Sequence, residues 1–120
     1  MLIAVAGPYS AETSEQRQRN LDRMNEAAAG VFMLGHVPVI GVNVALPVVE
    51  RLGPDIDRYE ALMTISLAVV EKCEAILLLA ESPGVIRERD LIESKGRPVY
   101  RSVREIPANR YETPENTVFG

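Results

Sequence analysis

Four short, unbroken apolar runs punctuate the chain: LIAVAG (2–7), VPVIGV (37–42), AILLLA (75–80) and RPVY (97–100). None alternates apolar with polar residues, as a strand with one wet face would. Continuous runs of this length suit parallel strands covered on both faces. Between them the spacing of apolar residues changes to that of helices. From about Glu15 to Leu34, one face carries Leu21, Met24, Ala28, Val31 and Phe32. Thr13 with Gln16 predicts a capping box at its start, and Gly35 a stop at its end. A second helix is predicted over Asp57 to Lys72, where Leu62, Ile65 and Val69 recur at helical spacing. The acids of GPDIDRYE read as its start, with Asp55 or Asp57 as cap. A third runs from about Gly84 to Lys95, closed by Gly96. A shorter helical turn is expected from Pro47 to Gly53.

Strands alternating with helices predict the α/β class: a small doubly wound, Rossmann- or flavodoxin-like parallel sheet of four to five strands with helices on both faces. A chain of 120 residues suits one such domain. It is placed at 1–106, followed by a polar tail, 107–120, with two apolar residues near its end. That tail is either loose or pinned to a partner.

Charge narrows the partners. With a net charge of −4 and arginines interspersed with acids, the chain lacks the basic surface that nucleic-acid polymers or anionic membranes require. No apolar run approaches the roughly 18 residues of a membrane span. The opening MLIAVAGPYS lacks the basic start of a signal peptide and reads as a strand. A single cysteine, Cys73, excludes an internal disulfide and suits the reducing cytoplasm; it reads as a small buried hydrophobe before a strand. His36 reads as a loop residue, and with no second His or Cys beside it neither a metal nor another cofactor is expected.

Open α/β sheets bind ligands outside the carboxyl ends of their strands. Two segments therefore hold the candidate chemistry: GPYS after the first strand and ESPGVIRE after the third. At 100° per residue, Glu88 falls between Leu91 and Ile92 and one turn from Val85, on the face that meets the sheet. A carboxylate drawn there needs compensation. The start of its own helix, with free N–H groups and a favourable dipole, is expected to keep it ionised and able to act as a nucleophile. A glutamate that merely caps its helix or pairs with an arginine is the alternative. Ser82 and Gly84 shape a turn whose hydroxyl and N–H groups suit a phosphate, although serine is also a common cap. In the first loop, Gly7 allows close backbone approach, Tyr9 would stack on a base or roof the loop, and Ser10 offers a hydroxyl. No glycine-rich dinucleotide fingerprint follows the strand. Asn43, at the carboxyl end of the second strand, is placed to line the pocket. Arg87 and Arg89 are expected to pair on the surface with Asp90 and Glu93.

Taken together, AGPYS on the first strand, RN (19–20) in the long helix, GHVPV (35–39), Gly84-x-x-x-Glu88 after an apolar strand and the closing KGRPV (95–99) resemble the nucleoside 2-deoxyribosyltransferase superfamily. The resemblance spans about residues 2–101. It is nearest to small bacterial members of unassigned function and also touches the 2'-deoxynucleoside 5'-monophosphate N-glycosidases. It implies that Glu88 attacks the anomeric carbon of a nucleoside or nucleotide, releasing the base, and that the chain assembles as a homodimer or higher homo-oligomer. The apolar ALMTISLAVV helix fits such an interface. Ser82 stands where free-nucleoside transferases have an aspartate and monophosphate hydrolases a phosphate-binding serine, which favours a nucleotide. Ser66, with Glu60 or Asp57 as substitutes, stands at the position of a further aspartate. Ile3 and Ala4 replace a tyrosine of the first strand, and GPYS lacks the hydrolases' arginine- and glycine-rich loop. These departures motivate a second expectation: a non-catalytic nucleotide-binding or sensing module on the same fold. A phosphorylation receiver is not expected, since it needs an acidic cluster where GPYS stands and an aspartate where ESPG stands.

Overall fold

The computed structural model describes residues 1–109. Its elements are β1 (Leu2–Ala6), α1 (Ser14–Met33), β2 (Val37–Val39), α2 (Gly41–Val49), α3 (Arg58–Glu71), β3 (Ala75–Leu78), α4 (Pro83–Ser94) and β4 (Val99–Tyr100), then a 3₁₀ turn at Val103–Glu105. The four strands form one parallel sheet in the order β2-β1-β3-β4. β1 pairs on one side with β2, Leu2 opposite Val37, and on the other with β3, Ile3 opposite Ala75. The fold is the doubly wound α/β architecture that the alternation predicts.

Pleating sends the residues of β1 to opposite faces. Ile3 and Val5 pack with Met24 and Val31 of α1, while Ala4 and Ala6 pack with Val70 of α3 and with Val85 and Ile92 of α4. Both faces are thus covered, which is why the strands read as continuous rather than alternating runs. Burial of these side chains, each worth on the order of 1.5–3 kcal/mol, holds the layers together.

Helix boundaries follow local chemistry closely. Thr13, Asp57 and Ser82 each accept a hydrogen bond from a backbone N–H three residues on. Only half of the expected capping box forms, because the Gln16 side chain turns forward to Asn20 instead of back to Thr13. Gly35 (φ 89°) and Gly96 (φ 68°) end α1 and α4 in the left-handed region that glycine tolerates.

Three expectations are corrected. Phe32 is 51% exposed; eight residues beyond Met24, it sits about 80° around α1 from the buried stripe of Met24 and Val31. In α3 the fully buried stripe is Met63, Ser66 and Val70, one residue on from Leu62, Ile65 and Val69. α2 covers that flank, so the expected stripe is only half-buried. The run 37–42 is not one strand, and the short helix does not wait for Pro47. β2 stops at Val39, and α2 begins at Gly41 with Pro47 inside it. β2 pairs with β1 over Leu2–Ala4 alone, and beyond that register the apolar chain leaves the sheet and folds over its end as a helix.

His36 lies in the connection between α1 and β2, as expected, and is buried there. Its Nδ1 lies 2.8 Å from the Met1 amine and its Nε2 bonds the Pro107 carbonyl. Asn109 N–H donates to the Leu34 carbonyl at 2.7 Å, so residues 107–109 are held on the turn between α1 and β2. Residues 110–120, and with them most of the expected tail, lie outside the described residues. No described helix is long and apolar enough to cross a membrane.

Candidate active site

A cavity of about 810 Å³ opens at the carboxyl ends of β1 and β3, where the connections diverge to the two sheet faces. Its volume falls in the range of pockets that enclose small ligands. The loop after β1 contributes Gly7, Tyr9 and Ser10, and the turn and first helical turns after β3 contribute Ser82, Gly84 and Glu88. These six sequence-selected residues are therefore brought together around one space.

Asn43 is not among them. Because α2 begins at Gly41, Asn43 lies on the exposed side of that helix and donates to Asn25 Oδ1 at 2.8 Å.

Glu88 is buried on the inner side of α4 beside Val85 and Ile92, and only 6% of it is exposed. Its Oε2 accepts a hydrogen bond from the Ser66 hydroxyl at 3.3 Å. No buried side-chain oxygen or nitrogen among the described residues lacks a partner, so Oε1, which has none, is reached from the cavity. Burial pushes the Glu88 carboxyl up from 4.5 to about 7, against the lowering effect of Ser66. The expectation of a fully ionised group is thereby corrected. Glu88 is the sixth residue of α4, beyond the first turn where free N–H groups and the dipole act.

The turn ahead of α4 is also more committed than its sequence suggests. Ser82 Oγ accepts from Val85 N–H at 3.3 Å, the Ser82 carbonyl accepts from Ile86 N–H, and Pro83 has no N–H. The Val85 and Ile86 amides are thus engaged within the turn and are not offered to an anion. A side chain at Gly84 would place Cβ 3.1 Å from Met63 Sδ. The turn is thus packed against α3. Across the cavity, the Tyr9 carbonyl accepts from Asn20 Nδ2 at 2.9 Å, which assigns a role to the asparagine of the RN pair.

Sequence reasoning missed several residues of the wall. Arg17 on α1, Glu50 at the end of α2, and Arg58 and Tyr59 at the start of α3 all border the cavity. Arg17 donates to the Ala11 carbonyl at 2.8 Å, and neither Arg17 nor Arg58 has an ion-pair partner among the described residues. Ser66, which the resemblance set at the position of an aspartate, does not border the cavity but bonds Glu88. The flanking arginines face outward. Arg89 pairs with Asp90 and Glu93, as expected, and with Glu81 as well. Arg87 instead reaches across to Glu60 at 3.1 Å and lies 5.8 Å from the centre of the Tyr59 ring.

Among the described residues no group of three His, Cys, Asp or Glu side chains could hold a metal ion. Compared with known proteins, the chain matches no family model and no curated relative.

Proposed function

We propose that the chain cleaves the N-glycosidic bond of a nucleotide or nucleoside, with Glu88 as the nucleophile and water or a second base as acceptor. The observation that carries this reading is a carboxylate, Glu88, that is buried and yet lines a ligand-sized cavity. It accords with the resemblance to the nucleoside 2-deoxyribosyltransferase superfamily. Ionised Glu88 attacks the anomeric carbon through Oε1. The carbon–nitrogen bond breaks through an oxocarbenium-like transition state, and the base leaves with its electron pair and takes up a proton. Attack of water on the glycosyl ester then frees the sugar and restores the carboxylate. The proton for the leaving base comes from solvent in the open cavity. Arg17 and Arg58 supply positive charge for a 5'-phosphate, which favours a nucleotide over a free nucleoside.

Incubation with a panel of 5'-nucleotides and nucleosides, with chromatography for free base, tests the proposal. Base release by the wild-type chain and none by Glu88→Ala is the expected result. No release from any member of the panel would sink it.

A second reading, non-catalytic nucleotide binding, is favoured by one observation. A carboxyl that titrates near 7 is largely neutral under mildly acidic conditions, and then serves as a hydrogen-bond donor rather than a nucleophile. On that reading a nucleotide raises the melting temperature without being consumed.

The solvent-facing Val44 and Val48 of α2, with the half-buried Leu62, Ile65 and Val69 of α3, support pairing of two copies in the cytoplasm. A monomer by light scattering would remove this part of the proposal.

A further inference from the structure

Serine inside a helix commonly turns its hydroxyl back to the carbonyl four residues earlier. Thr64, two residues before Ser66, does so, donating to the Glu60 carbonyl at 2.7 Å. Ser66 does not. It is fully buried, and its hydroxyl points across to α4 and donates to Glu88 Oε2. The space for that orientation comes from a third element. A side chain at Gly41, the first residue of α2, would place Cβ 2.0 Å from Ser66 Oγ, 3.0 Å from Ser66 Cβ and 3.2 Å from Ser66 Cα. The φ angle of Gly41 is not positive, so the glycine answers to space and not to backbone conformation. The absent side chain is filled by the hydroxyl that holds Glu88.

We propose that Gly41 and Ser66 act together as positioning residues for Glu88: the bare backbone at the start of α2 seats the Ser66 hydroxyl on the carboxylate, and so sets both the direction of Oε1 and the ease with which Glu88 ionises. Any side chain at position 41 must turn the Ser66 hydroxyl away or push α2 from α3. Either movement breaks the hydrogen bond to Glu88 without touching Glu88 itself. The ionisable groups that share the cavity are Tyr9 from the loop after β1, Arg17 from α1, Glu50 from α2, and Arg58 and Tyr59 from α3. Behind the carboxylate, Cys73 packs in the same core cluster as Val70, Val85 and Ile92, and the charge of Glu88 is one of the influences that raise its pKa. Arg87 and Arg89, on the same helix as Glu88, are engaged on the outer surface with Glu60 and with Glu81, Asp90 and Glu93. Among the described residues only Ser66 bonds the carboxylate directly.

The role in catalysis rests on the N-glycosidase reading, but the positioning itself does not, and the experiment separates them. Carboxyl carbons of glutamate are followed by NMR through a pH titration, and Glu88 is assigned by its disappearance in Glu88→Gln. Ser66→Ala and Gly41→Ala are each expected to raise the Glu88 midpoint by about half a unit to one unit, since a hydrogen bond to the ionised form is lost. The double variant is expected to show no more than the larger single shift, because both changes remove the same bond. An unmoved midpoint in folded Gly41→Ala, or additive shifts in the double variant, would overturn the proposal. Should Gly41→Ala fail to fold, an unmoved midpoint in Ser66→Ala overturns it equally. Shifted midpoints in a chain that releases no base from any nucleotide would uphold the positioning and sink the catalytic reading alone. Where base is released, the acid limb of its pH profile moves upward by the same amount in both single variants.

Discussion

Asn20 donates its side-chain amide to the carbonyl of Tyr9 at 2.9 Å, fastening the cavity loop after β1 to the flank of α1. The two residues are eleven positions apart, and the bond fixes the backbone of a loop with no regular structure of its own. Tyr9 is therefore held as a pre-set part of the cavity wall.

Asn20→Ala removes that bond and leaves a partly buried carbonyl without its partner. A loss of about 1 kcal/mol is expected, seen as a fall of about 4 °C in melting temperature. Nucleotide affinity should fall with it, while the Glu88 titration stays put. Unchanged affinity would show that the Tyr9 loop takes no part in binding.

Glu88 should give stability a distinct pH dependence. An acid whose folded value lies above its unfolded value holds its proton more tightly in the fold, so the unfolded chain binds fewer protons between the two. Stability attributable to this group is intact below pH 4.5, declines as pH rises towards about 7, and is flat beyond. The total is up to about 3 kcal/mol. In Glu88→Gln the decline disappears, and the variant is more stable than the wild type at pH 8 but equal to it at pH 4.5. Urea unfolding across that range checks both statements.

Turnover, where it occurs, should move in the opposite sense. The nucleophile must be ionised, so base release is expected to rise as pH passes through about 7 and then level off. A rate that falls over the same interval would assign Glu88 the part of acid instead of nucleophile.

Arg58→Ala should weaken binding of a nucleoside monophosphate about tenfold or more and leave the matching nucleoside nearly unaffected, since charge-assisted contacts to phosphate are among the stronger hydrogen bonds. Calorimetry at two salt concentrations would show the difference shrinking at higher salt. Equal losses for both ligands would move the phosphate site elsewhere.

Cys73 is fully buried, its thiol donates to the Val69 carbonyl at 3.5 Å, and burial pushes its pKa up to about 11. The thiolate is the reactive form, so the native chain should resist thiol reagents at pH 8 and label only on unfolding. Rapid native labelling would contradict its placement.

Much of the architecture was legible along the chain because it depends on neighbours in sequence. Thr13, Asp57 and Ser82 cap helices through amides three residues away, Gly35 and Gly96 end them by their own dihedral freedom, and the 100° step alone turns Glu88 towards the sheet. What surrounds Glu88 was another matter. Its depth of burial, and hence its raised pKa, depends on α3 lying over α4. Its hydrogen bond comes from Ser66, 22 residues away, and the room for that serine comes from Gly41 on a third element. Arg17, Glu50 and Arg58 border the cavity only because three helices converge there, and Asn43 misses it because α2 starts earlier than its proline suggested. Local dihedral preferences and periodic patterning are written into consecutive residues. The cost of desolvating a carboxylate, and the group that offsets it, arise only when distant segments exclude water together.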